Sequence, residues 1–244
     1  MVQKTRGLFI TGTDTEIGKT YVAALVAASL ARNGHRVGVY KPAASDCSRQ
    51  DGKLVSDDAL ALWKAAGMPG TLDEVCPQVF ASAKAPHLAA ADEGKQLDAA
   101  RLRSGIEPWL ERSDVVIVEG AGGLMSPLGQ EEYVADLAYD LGFPLVIVAD
   151  NRLGAINHVL QTLIAAAAFR EGLDVAGIVL NSATPVTDDA VQSENHREIA
   201  QRAASPVLAR VGWRSEMFEP HVDWFEVART AVPPAQGATE ESPP

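Results

Sequence analysis

The sequence predicts a doubly wound α/β fold, a mostly parallel sheet with helices on both faces. Three observations carry this. The strand candidates are short runs that stay apolar at successive positions, as strands buried on both sides do. They alternate with longer helical patterns along the chain. The first strand also runs into a polar, Gly-containing loop that opens the first helix, where backbone N–H groups converge. The 244 residues are 47% hydrophobic and 22% charged, an ordinary globular balance with ample material for a core.

In order, Gly7 to Thr11 (GLFIT) reads as the first buried strand, and Lys19 to about Asn33 as the first helix, with Gly34 as its stop. Arg36 to Tyr40 (RVGVY) is a second strand, ended by Pro42. Ser56 begins a helix with Asp57 and Asp58 in its first turn, where the dipole favours them. A helix from about Asp98 to Arg112 leads to Val115-Val116-Ile117-Val118, the clearest strand in the chain. Pro144 to Ala149 is the next strand and Ala155 to Glu171 an Ala-rich helix. Val175 to Leu180 is a strand, Asp188 to Ala203 a helix, Val207 to Val211 a short strand, and Val222 to Arg229 a last helix. One domain over residues 1–231 is expected, with residues 232–244, rich in Pro, Gly and acid, as a disordered tail.

With 21 Lys+Arg against 32 Asp+Glu, the net charge is −11. Such a surface repels nucleic acid and anionic membranes at long range. No apolar run approaches the ~18 residues of a membrane span, and residues 1–7 carry no signal-peptide pattern. Cys47 and Cys76 show neither metal-ligand spacing nor a disulfide framework. Two free thiols in a reducing cytoplasm are the expectation.

Gly12-Thr13-Asp14-Thr15-Glu16-Ile17-Gly18-Lys19-Thr20 joins the first strand to the first helix. Its N–H groups and the helix N-terminus suit a phosphate, Lys19 suits the β- and γ-phosphates, and the Thr20 hydroxyl suits Mg²⁺. The spacing is one residue longer than the strict phosphate-loop motif, so Thr13 holds the usual first-glycine position. A merely structural Gly-rich turn is the alternative, but the strand–loop–helix context favours a P-loop nucleotide site. Glu119, at the carboxyl end of the Val115 strand, fits the second half of such a site by holding Mg²⁺, and Gly120, Gly122 and Gly123 allow close backbone approach. A solvent-facing strand-end acid is its bland alternative.

Seven segments in order then resemble the dethiobiotin synthetase family. They are GTDTEIGKT, Tyr40-Lys41-Pro42 with Ser45, Ser56 to Leu62, Ala85-Pro86-His87, Val118 to Leu124, Leu153 to His158, and Gly177 to Asn181. The resemblance implies an ATP-dependent cyclo-ligase that converts 7,8-diaminopelargonic acid and CO₂ to dethiobiotin, with ADP and phosphate released and Mg²⁺ as cofactor. It implies Lys41 and Lys19 as catalytic lysines, meeting charge that accumulates between carbamate and γ-phosphate. About ATP it places Glu16, Ile17, Gly18, Lys19, Thr20, Tyr21, Asp58, Glu119, Gly120, Ala121, Gly122 and Asn181. About the diamine it places Thr15, Lys41, Ser45, Gly122, Gly154 and Asn157, and it gives Mg²⁺ to Thr20, Asp58 and Glu119. Asp57 competes with Asp58 for that role.

Gly154 to Asn157 also makes sense on its own terms, since a helix start offers free N–H groups to a carboxylate. The family draws this contact from a second subunit, which implies a homodimer. Asn181 resembles the purine-binding residue of the family, and His87 and His158 are expected to be structural. Two departures stand out. Val211-Gly212-Trp213-Arg214 lacks the proline of the family's base pocket, leaving Trp213 either to stack on the base or to pack in the core, and Asp150-Asn151-Arg152 is unusually polar. Two rival classes are weaker. An amidotransferase-type ligase needs a nucleophilic-cysteine turn that neither Cys47 nor Cys76 supplies. A partition or cell-division ATPase normally has a second lysine early in the loop, where this chain has Asp14.

Overall fold

A computed structural model describes residues 5–185 and 189–232. The chain runs β1 (Arg6–Gly12), α1 (Lys19–Arg32), β2 (Val37–Tyr40), β3 (Ser48–Gln50), β4 (Lys53–Val55), α2 (Asp57–Ala65), α3 (Leu72–Val75), α4 (Pro86–Asp92), α5 (Ala99–Ser104) and α6 (Glu107–Arg112). Then come β5 (Val115–Glu119), α7 (Val134–Leu141), β6 (Leu145–Asp150), α8 (Ala155–Ala168), β7 (Val175–Asn181), α9 (Asp189–Arg202), β8 (Val207–Val211), α10 (Trp224–Val227) and β9 (Arg229–Thr230).

Six strands form a parallel array in the order β2-β5-β1-β6-β7-β8, so β1 sits in the middle with later strands added on both sides. Successive residues of a strand point to opposite faces, and the two faces are filled separately. On β6, Val146 and Val148 belong to the larger core with α1, whereas Ile147 and Ala149 join Val159 of α8 and Ile199 of α9. On β7, Val179 takes the first side and Ile178 and Leu180 the second. That two-sided burial explains why these strands are apolar without alternation. The doubly wound, mostly parallel sheet predicted from the sequence is therefore present.

Several details differ from expectation. The helix expected over 98–112 is two, α5 and α6, parted at Gly105 and Ile106, with Pro108 in the first turn of α6. Proline belongs there because that N–H has no helical partner anyway. The last helix is only Trp224–Val227, and Arg229 and Thr230 instead pair antiparallel with Gly7 and Arg6 of β1. The hairpin β3–β4 and helices α3, α4 and α7 have no counterpart in the sequence reading. The expected start of α9 at Asp188 and the tail beyond Val232 lie outside the described residues.

Candidate active site

All the parallel strands end on one side, and the site lies at their carboxyl ends beside central β1, as open α/β sheets place ligands. Gly12 leads from β1 into the loop, and Gly18 turns it into α1 with φ of 83°. Only glycine adopts that left-handed conformation freely. No side chain caps α1 and no acid occupies its first turn, so its terminal N–H groups stay free for an anion. A Cβ on Gly18 would come within 2.2 Å of Asn181 Nδ2. Asn181, at the end of β7, donates from that nitrogen to Ile17 O at 2.9 Å and so ties the loop to the sheet. Its Oδ1 is buried without a partner.

β5 delivers Glu119, which is 1% exposed, to the same point. Glu119 Oε1 accepts from the Thr20 hydroxyl at 2.7 Å and from Lys41 Nζ at 2.7 Å. Lys41 follows β2 and is 4% exposed; its ammonium also pairs with Asp58 Oδ2 at 2.9 Å. Asp58 is set by α2, whose N-cap Ser56 accepts from Ala59 N. Burial disfavours the Lys41 ammonium, but Glu119 and Asp58 outweigh it and hold its pKa above the ordinary lysine value. Asp58 gains from the same pairing: partial burial pushes its carboxyl up, and Lys41 more than offsets this, leaving it below the usual aspartate value. Lys19 is the contrasting case. Burial pushes its pKa down in spite of Glu119, and its Nζ donates to the Asp14 carbonyl at 2.7 Å.

Thr15, Glu16, Gly18, Lys19, Thr20, Lys41, Ser45, Asp58, Glu119, Ala121 and Gly122 all line one cavity of about 440 Å³. Ala43, Ala44 and Asp46 complete its wall; sequence reasoning missed Asp46, whose signal is its place directly after Ser45. Ile17 is buried in the core, Gly120 is packed against Phe9 and Val134, and Tyr21 reaches away to donate to Ser215 O at 2.9 Å. Asp58 lines the cavity and Asp57 does not. Gly154 and Asn157 are exposed and lie outside the cavity within one chain. Yet α8 begins as α1 does, on a left-handed glycine (Gly154, φ 98°), with neither a side-chain cap nor an acid in its first turn. Trp213 is exposed rather than core, with the Arg214 guanidinium 5.1 Å from its ring centroid. His158 lines a separate cavity with Gln161 and Thr162.

Among the described residues, no three His, Cys, Asp or Glu side chains are grouped to hold a metal by themselves. The donor set here suits a cation that brings its own oxygens. Glu119 Oε2 is buried without a partner, its Oε1 accepts from the Thr20 hydroxyl, and Asp58 lines the same cavity. Such hard oxygen donors, few in number, match Mg²⁺ bound together with phosphate and water.

Comparison with known proteins fits this geometry. A family model described as an AAA domain matches residues 6–221. The ATP-dependent dethiobiotin synthetase of Rhodopirellula baltica is 42% identical over 214 residues, 83% of this chain and 82% of that one. That of Aromatoleum aromaticum is 38% identical over 227 residues, 93% and 96% of the two chains. Among solved structures, a ParA family ATPase from Chlorobium tepidum superposes with a TM-score of 0.54 over 86% of this chain and 84% of its own, at 16% identity, a likeness of fold alone. With a phosphate loop, a strand-end glutamate and a buried lysine joined in one cavity, and with this identity over most of the chain, the protein belongs to the ATP-dependent dethiobiotin synthetase family.

Proposed function

We propose that the chain carries out Mg-ATP-dependent ring closure of 7,8-diaminopelargonic acid with CO₂, giving dethiobiotin, ADP and phosphate in the cytoplasm. The observation that carries this reading is Lys41, a buried cation fixed between Glu119 and Asp58 beside the phosphate loop. One substrate amine adds to CO₂ and loses a proton, forming a carbamate. The γ-phosphoryl group passes to a carbamate oxygen. The second amine attacks the carbonyl carbon, phosphate leaves with the C–O bond electrons, and the nitrogen sheds its proton.

Two anionic groups must meet in this sequence, the carbamate and the γ-phosphate. Lys41 and Lys19 both line the cavity in which these anions would meet, and offset their repulsion. The uncapped start of α1 receives the phosphates. Thr20, Asp58 and Glu119 would hold Mg²⁺, which when bound neutralises the triphosphate and polarises its terminal phosphoryl group. Thr15, Ser45 and Gly122 face the diamine, while Asn181 and Ile17 keep the loop in place and Glu16 and Ala121 frame the nucleotide side; Tyr21 and Gly120 support that side from outside the cavity. Gly154 and Asn157 would take the substrate carboxylate from a second copy of the chain. A homodimer is supported by the uncapped start of α8 and by Leu153 and Ile164, which are 86% and 68% exposed on the same segment.

The test is phosphate release by purified protein with Mg-ATP and bicarbonate, with and without the diamine. Diamine-dependent release, with a product heavier by one CO₂ less one water, is the expected result. Release indifferent to the diamine would remove the proposal.

A further inference from the structure

The cavity is lined by four carboxylates, Glu16, Asp46, Asp58 and Glu119. Lys41 engages Asp58 and Glu119. Among the described residues Asp46 has no cation partner, and it lines the cavity directly after Ser45 in the chain. Its backbone is unusual, with φ of 57°. Side chains generally avoid that region, and Asp and Asn tolerate it best.

The surrounding chain imposes this conformation. Ala44 N donates to Gln78 O at 2.9 Å, Phe80 N to Ala44 O at 2.9 Å, Asp46 N to Ser82 O at 3.1 Å, and Cys47 N to Phe80 O at 3.0 Å. Glycine would meet the demand without steric conflict. The residue present adds a carboxylate to the cavity instead. A strained position so over-determined points toward function.

The chemistry supplies a reason. An alkyl diamine is cationic near neutral pH, and two lysines, Lys19 and Lys41, line the cavity it must enter. With Asp58 and Glu119 already paired, Glu16 and Asp46 are the cavity carboxylates without a cation partner among the described residues; Glu16 belongs to the phosphate loop, whereas Asp46 directly follows Ser45. We propose that Asp46 is a specificity-determining residue, pairing with an ammonium of the incoming diamine and so selecting a cationic substrate. This rests on the function proposed above.

The experiment is initial-rate kinetics of the full chain, varying diamine and ATP separately at low and high salt, for Asp46→Asn and Asp46→Gly. Both replacements suit the left-handed backbone and remove the charge. The diamine KM should rise about fivefold in each, the size of an exposed ion pair, with the ATP KM changed by less than about twofold. Added salt should raise the diamine KM of the unsubstituted chain and leave that of the Asn variant nearly flat. A diamine KM within about twofold in Asp46→Asn, or an equal rise for ATP, would overturn the role of Asp46 alone. Failure of the unsubstituted chain to show diamine-dependent release would remove this inference together with the reaction it depends on.

Discussion

A single ammonium holds the centre of the site together. Lys41 offsets the charge of Glu119, which is almost wholly withdrawn from water, and of Asp58 at its edge. Removing one member of a buried ion cluster leaves an uncompensated charge, at a cost of about 3 kcal/mol or more. Lys41→Ala should therefore lower the thermal midpoint by roughly 6–12 °C, and Mg-ATP should restore part of the loss by returning positive charge to both carboxylates. Ring closure should fall about 100-fold or more, while ATP binding, measured calorimetrically, stays close to normal. An unchanged midpoint would mean that Lys41 does not carry this compensation. These residues were legible because each stands where sequence implies a position: Lys41 and Glu119 just at strand ends, Asp58 in a first helical turn. Asp46 had only its place after Ser45 as a signal, since nothing local shows that backbone bonds to residues 78–82 hold it in the left-handed region beside the cavity.

Helices carry the same site chemistry one level up. α2 aims Asp58 because Ser56, itself buried, fixes the first turn through the Ala59 N–H. Ser56→Ala should cost about 1 kcal/mol and loosen Asp58, seen as a lower thermal midpoint together with weaker Mg²⁺ dependence of turnover. If only stability moved, α2 would be a support and not an aiming device. The long elements could be read because fourteen-residue α1 and the apolar strands carry enough periodicity or burial to show. α3 has four residues and depends on a capping box between Thr71 and Glu74, and β3 is exposed throughout. Neither leaves a hydrophobic pattern long enough to read, so α3 shows only in its Thr71–Glu74 cap and β3 only in its pairing with β4. The division of the expected 98–112 helix is similar in kind: Tyr40 donates to the carbonyls of Arg101 and Leu102 at 3.0 Å, drawing off the end of α5.

Across the whole molecule, the ligand end and the opposite end of the sheet are built differently. At the far end, the chain runs on from β9 to Val232, whose N–H donates to Gly142 O at 2.9 Å. Gly142 caps α7 at φ 66°, and a Cβ there would lie 2.2 Å from Val232 O. Gly142→Ala should thus displace the C-terminal strand and destabilise the chain by about 1–3 kcal/mol, with diamine and ATP KM unaltered because the lesion is remote from the cavity. A shift in either KM would show that the two ends are coupled. The sheet order was recoverable in outline from alternation of strands and helices. The β1–β9 pairing was not, because two residues bearing Arg229 and Thr230 carry no strand signal until β1 offers them an edge.

That pairing has a consequence for how the chain is made. β1 is synthesised first, yet its neighbours β5, β6 and β9 start at residues 115, 145 and 229. At roughly 5–20 residues per second on the ribosome, the central strand waits on the order of ten seconds or more before its last edge partner leaves the exit tunnel. The earliest strand is the last to be fully paired, so a nascent chain stalled short of Arg229 should remain open to chaperones or proteases where β9 would cover Arg6 and Gly7.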